Sequence, residues 1–213
     1  MDNVRVSEIF HSLQGESTRV GLPTVFVRLT GCPLRCHYCD TEYAFTGGEM
    51  LPISAILEQV AGYKAQYVCV TGGEPLAQQS CFALLTQLCD QGYQVSLETS
   101  GALSVATVDS RVKKIMDIKT PDSGEAAKNH WQNLDFINNA DELKFVICSR
   151  EDYEWTKDII DTYQLFECCE VLLSPSHTEM DATGLAEWML ADRLPARFQL
   201  QLHKYLWNDE TGR

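Results

Sequence analysis

The sequence predicts an α/β protein with six mainly parallel core strands and about three crossover helices, in one domain spanning residues 1–213. Three observations lead there. Short apolar, β-branched runs alternate with segments of helical spacing. Nearly every such run ends in a polar, glycine-containing or cysteine-containing cluster. A length of 213 residues with 45% apolar content suits a single sizeable core. Parallel sheets of this kind bind ligands at the carboxyl ends of their strands, so the clusters are candidate site segments.

Residues 8–16, Glu-Ile-Phe-His-Ser-Leu-Gln-Gly-Glu, are polar and contain glycine, and on their own read as a loop. Residues 24–30, Thr-Val-Phe-Val-Arg-Leu-Thr, read as the first strand. Arg28 lies inside it among apolar neighbours, where a charge is costly unless it is paired or binds an anion; a solvent-facing position is the plain alternative. Residues 52–62 carry Ile53, Ile56, Leu57 and Val60 at helical spacing, with Pro52 suited to a first turn and Gly62 to a stop. Residues 67–71 form a second strand that runs into Gly72-Gly-Glu-Pro75, where glycine lets backbone approach a ligand. A helix over 78–91 and a strand over 93–98 follow, the latter ending in Thr99-Ser-Gly101. Further strands are expected over 114–119, 143–147 and 170–173, with a helix over 152–166. The connection 101–113 is short for a helical crossover, and 121–139 is polar and weakly periodic. A helix over 180–192 and a strand over 197–202 close the chain.

A formal charge of −13 argues against a surface that grips nucleic acid and favours a small-molecule substrate. The stretch Met1-Asp-Asn-Val-Arg-Val-Ser-Glu8 has no basic leader or apolar secretion core, and no run nears the ~20 apolar residues that span a membrane. A cytoplasmic protein without membrane attachment is therefore expected. Nine cysteines, an odd number, suit a reducing compartment better than a disulfide framework. Six of them, Cys69, Cys81, Cys89, Cys148, Cys168 and Cys169, lie in apolar or helical surroundings and read as buried small hydrophobes.

The other three, Cys32, Cys36 and Cys39, stand within eight residues as Cys-x3-Cys-x2-Cys. Three thiolates from one loop can hold three irons of a cubane cluster and leave the fourth iron open. A zinc site closed by His37 or a distant thiol is the competing reading, although structural zinc usually takes two separated ligand pairs.

With Tyr38 directly before the last cysteine, the loop resembles the signature of the radical S-adenosylmethionine (SAM) enzymes, in which the open iron binds the methionine part of SAM. That resemblance implies a partial radical SAM barrel. Phe-His-Ser-Leu-Gln-Gly-Glu16, Arg-Leu-Thr-Gly-Cys32, Cys-Asp-Thr41, Thr-Gly-Gly-Glu-Pro75, Glu-Thr-Ser-Gly101, Asp-Glu-Leu-Lys144 and Leu-His-Lys-Tyr-Leu206 are together similar to the 7-carboxy-7-deazaguanine synthase family. Its members are carbon–nitrogen lyases that convert 6-carboxy-5,6,7,8-tetrahydropterin to 7-carboxy-7-deazaguanine with loss of ammonia, on the way to queuosine and related deazapurines.

Carried over position by position, the resemblance makes Cys32, Cys36 and Cys39 ligands of a 4Fe-4S cluster and Thr41 a ligand of Mg2+. A turn cap is the plainer reading of Thr41. Leu13, Gln14, Gly15, Glu16, Arg28 and Thr71 correspond to substrate positions. Gly73, Asp117, Ile118, Lys119, Ser174, Pro175, Ser176 and His177 correspond to SAM positions. No protein acid or base is implied, since the radical comes from the cofactor. The family also implies an external electron donor and a homodimer. His203 reads as structural, and no substrate contact is assigned to the tail, residues 207–213. Two other functions are weighed: a different radical SAM enzyme, such as one that installs a radical on a partner protein, and a non-catalytic iron–sulfur or zinc module.

Overall fold

The computed structural model describes residues 2–177, 179–208, 210 and 212; of the tail, Asp209, Thr211 and Arg213 lie outside the described residues. The chain opens with β1 (Asn3–Leu13) and β2 (Pro23–Leu29), an antiparallel pair. After the cysteine loop come β3 (Glu49–Pro52), α1 (Ile53–Gly62), β4 (Tyr67–Gly72), α2 (Ser80–Asp90) and β5 (Gln94–Thr99). The second half holds β6 (Lys113–Asp117), β7 (Glu142–Ile147), α3 (Arg150–Tyr163), β8 (Glu170–Pro175), α4 (Ala182–Asp192), β9 (Arg197–Phe198) and α5 (Leu202–Trp207).

Among the described residues the strands form one sheet in the order β3-β1-β2-β4-β5-β6-β7-β8-β9. From β2 to β9 every pairing is parallel. The six expected core strands are all present, and α1, α2 and α3 are the three expected crossovers. As the short spacing implied, β5 reaches β6 without a helix. Residues 121–139 hold three 3-10 turns, Pro121–Ser123, Ala126–Lys128 and Trp131–Phe136.

Four expectations need correction. Residues 8–16 are not simply a loop, because β1 runs through Leu13, with Val4 and Val6 buried and Phe10 stacked on Phe26 at 5.0 Å. A strand with one buried face carries polar residues on the other, which is what disguised it. The short edge strand β3 was not anticipated. The closing strand shrinks to Arg197–Phe198, and Leu202–Trp207 is helical, so His203 sits on a helix rather than at a strand end. Finally, Cys69, Cys81, Cys148 and Cys169 are buried as expected, whereas Cys89 and Cys168 are half-buried.

The core lies in two apolar clusters. One packs α1 and α2 on the sheet through Ile56, Val60, Leu84, Leu85 and Leu88. The other packs α3 and α4 through Tyr153, Ile160, Leu185 and Met189. No helix of the described residues is long and apolar enough to cross a membrane. With both flanks fixed, the strand ends from β2 to β8 open onto one cavity.

Candidate active site

A cavity of about 420 Å3 lies at the carboxyl ends of the strands, a size suited to a small molecule and a cofactor part. Cys32, Cys36 and Cys39 line it together with Thr41. Burial pushes the Cys32 thiol up and the Cys36 thiol up to about 11. Thiols so placed become thiolates only beside strong positive charge, which a metal supplies. Among the described residues no three His, Cys, Asp or Glu side chains converge closely enough to hold one metal ion. Three thiols on one cavity, with no fourth thiol among its described lining residues, suit a cubane, in which each thiolate meets its own iron. His37 is engaged elsewhere, its Nδ1 lying 3.1 Å from the Asp122 carbonyl.

The glycine turn is fitted to this loop. A Cβ on Gly73 would lie 2.3 Å from the Gly31 carbonyl oxygen and 2.8 Å from Cys32 Cβ, so only glycine lets the two segments touch. Glu74, fully buried, locks the turn to the end of β5 by accepting from Thr99 Oγ1 at 2.9 Å and Ser100 N at 2.7 Å. Thr41 precedes a 3-10 turn, but its side chain caps nothing there, so the plainer reading of Thr41 has no support.

The same cavity has a polar wall. Lys144 Nζ is 2.5 Å from Glu16 Oε2 and 3.7 Å from Asp117 Oδ2. Burial would raise the Glu16 pKa, but the charge and hydrogen bond of Lys144, with Gln201, hold it down to about 2. Burial likewise disfavours the Lys119 ammonium, yet Asp117 at 2.9 Å, with Tyr38 and Cys36, moves its pKa upward. Asp117 Oδ1 and the Tyr38 hydroxyl are buried and meet no hydrogen-bond partner among the described residues. Buried polar atoms are normally satisfied, so this pair fits a polar ligand such as SAM.

A family model for the radical SAM superfamily matches residues 26–164. The 7-carboxy-7-deazaguanine synthase of Chlorobaculum tepidum is 46% identical over 98% of this chain and 96% of its own length. The chain belongs to the 7-carboxy-7-deazaguanine synthase family. The synthase of Koribacter versatilis is 40% identical over 98% of this chain and 99% of its own. In three dimensions, the crystal structure of QueE from Escherichia coli superposes with a TM-score of 0.78 at 25% identity, covering 94% of this chain and 95% of that one. The open, mostly parallel sheet is thus the partial barrel of the radical SAM enzymes.

For a chain of this synthase family, the expected site residues fall into two groups. Glu16, Thr71, Gly73, Asp117, Lys119, Ser176 and His177 line the cavity with the thiols and Thr41. Leu13, Gln14, Gly15, Arg28, Ile118, Ser174 and Pro175 do not. Gln14 lies just behind the wall, donating from Nε2 to Glu98 Oε1 at 3.1 Å and accepting from Glu16 N at 3.2 Å. Gly15 packs under the C-terminal helix, where a Cβ would come within 2.1 Å of His203 Nδ1. Leu13 ends β1 opposite Pro23. Arg28 pairs through Nε with Glu8 at 2.7 Å, its register partner on β1. Ile118 belongs to the apolar core, and Ser174 and Pro175 are buried within β8.

Glu98, Lys144 and Gln201 also line the cavity; the first two stand in motifs of the sequence, but none of the three is given a site role there. Glu98 accepts from Thr71 Oγ1 at 2.9 Å as well as from Gln14, and Gln201 Nε2 donates to Glu16 at 2.7 Å. The available signal was a charge inside an otherwise buried strand, which is rare without a partner or a task. Gln201, just before α5, carried no such signal, because packing brings it in from the far end of the chain.

Proposed function

We propose that this chain is a 7-carboxy-7-deazaguanine synthase that contracts the ring of 6-carboxy-5,6,7,8-tetrahydropterin and releases ammonia, in the biosynthesis of queuosine or related deazapurines. The observation that carries the reading is one cavity lined by both the three thiols and the Glu16–Lys144 pair.

Cys32, Cys36 and Cys39 would hold a 4Fe-4S cluster, with Gly73, Asp117, Lys119, Ser176 and His177 on the SAM side of the cavity and Ile118, Ser174 and Pro175 buried behind them. When bound, the cluster and SAM would supply the radical chemistry that the ring contraction needs. The protein's own residues bind and orient. Glu16 and Glu98 are acceptors matched to the amino and ring N–H edge of a pterin, while Gln14 buttresses both. Glu8 takes the Nε edge of Arg28, and the terminal amino groups are the part offered to the substrate carboxylate. Thr41 would supply a protein oxygen to a Mg2+ at this site. Thr71 adds one hydrogen bond. No side chain is assigned as an acid or base.

We read residues 1–213 as one radical SAM core domain, acting as a cytoplasmic homodimer that takes electrons from an external donor. The test is anaerobic reconstitution with iron and sulfide, then incubation with SAM, Mg2+, reductant and the pterin. Formation of 7-carboxy-7-deazaguanine is expected. Intact SAM cleavage with persistent absence of that product would reject the substrate assignment.

A further inference from the structure

Outside the cavity, a second ionic cluster holds the loop that carries Gln14, Gly15 and Glu16. Glu142 on β7 is fully buried. Both its oxygens lie 3.1 Å from the Thr18 backbone nitrogen, and the Thr18 hydroxyl donates to Oε1. Lys113 Nζ on β6 is 2.6 Å from Oε1 and donates to the Thr18 hydroxyl at 2.9 Å. A buried carboxylate is tolerated only when saturated in this way.

Side chains two residues apart on a strand share a face, so Glu142 and Lys144 project to the same side of β7. Lys144 grips Glu16 while Glu142 grips Thr18. Between them, Ser17 adopts a φ of 67°, and its carbonyl accepts from Gln199 Nε2 at 3.0 Å. A left-handed conformation at a serine costs energy and persists only when its surroundings enforce it. Two neighbouring positions on β7 and one brace from beyond β9 therefore enforce a strained peptide directly beside Glu16.

We propose that Glu142 is a positioning residue for substrate recognition, acting through Thr18 to set the placement of Glu16 against the pterin edge and of Gln14 behind it. The proposal rests on the reading that this loop meets the pterin. Neither Glu142 nor Lys113 lines the cavity, so the effect is indirect. With the anchor gone, Ser17 can relax out of its strained state and turn Glu16 away. Displacements of about 1 Å cost on the order of 100-fold in comparable enzymes.

Thr18 is exposed, so Thr18→Ala tests the contact without opening the core, and Glu142→Gln tests it from the other side. In the reconstituted holoenzyme each variant is expected to raise KM for 6-carboxy-5,6,7,8-tetrahydropterin about tenfold or more. Pterin-independent cleavage of SAM should stay within about twofold of the parent, and Thr18→Ser, which restores the hydroxyl, should recover the parent KM. An unchanged KM in both variants overturns the proposal. So does a joint fall of pterin turnover, SAM cleavage and iron content, which is what loss of folding gives. A parent enzyme that turns over no pterin removes the functional reading itself, and the proposal with it.

Discussion

Replacing Lys144 with Met keeps an unbranched chain of similar length and removes its charge. The ammonium it removes sits 2.5 Å from Glu16 and 3.7 Å from Asp117, on a side chain that is 13% exposed. Glu16 titrates at about 2 instead of 4.5: burial opposes its ionisation, and Lys144, aided by Gln201, overrides burial. That lowering corresponds to about 3 kcal/mol in favour of the charged form. By an independent route, removing one partner of a buried ion pair costs about 3–5 kcal/mol. Lys144→Met should therefore lose about 3 kcal/mol of stability at pH 7. The sign with pH follows from the direction of the shift. A carboxyl depressed in the folded state contributes fully above its unfolded value of 4.5 and loses that contribution as pH falls toward 2. The gap between parent and variant should thus shrink to roughly half by pH 3. Urea denaturation of both proteins at pH 7 and pH 3 measures it. Adding Glu16→Gln to the variant should recover much of the loss, because removing both partners leaves no stranded charge. A difference below about 1 kcal/mol at pH 7, or a gap that does not narrow in acid, would refute the reasoning.

Single Cys32→Ala, Cys36→Ala and Cys39→Ala variants should each lose most bound iron after reconstitution. Cys81→Ala, on the buried face of α2, should keep it, as iron analysis will record. Gly73→Ala forces a methyl against the Gly31 carbonyl. It should cost about 1–3 kcal/mol and lower iron incorporation, measured by denaturation and by absorbance of the cluster. Thr41→Val removes a hydroxyl that caps no helix. Its thermal midpoint should therefore hold, while the Mg2+ concentration for half-maximal turnover rises about tenfold or more if the hydroxyl is a metal ligand.

The legible parts of this protein are local ones. The cysteine loop occupies eight consecutive positions, so its chemistry needs no knowledge of the fold. Buried parallel strands such as Tyr67–Gly72 announce themselves as short apolar runs with turn residues behind them. Strand β1 hides because an antiparallel strand spends alternate positions on polar residues. With β1 hidden, the pairing of Arg28 with Glu8 was hidden too, since it depends on the register between two strands. The Glu16–Lys144 pair links residues 128 apart in sequence, and Glu16–Gln201 links residues 185 apart. Contacts at such range are set by packing, which no window of sequence contains. The short helix Leu202–Trp207 was likewise misread because its place is fixed by Gly15 beneath His203 and by Lys204 beside Asp40, at 3.5 Å.

Electron paramagnetic resonance of the anaerobically reduced protein, recorded before and after addition of SAM, addresses the three-thiol site most directly. A reduced 4Fe-4S signal that changes shape when SAM is added is the predicted result, because the iron without a protein thiolate is the one the cofactor reaches. A signal indifferent to SAM, or a protein that holds stoichiometric zinc and no cluster, would contradict it.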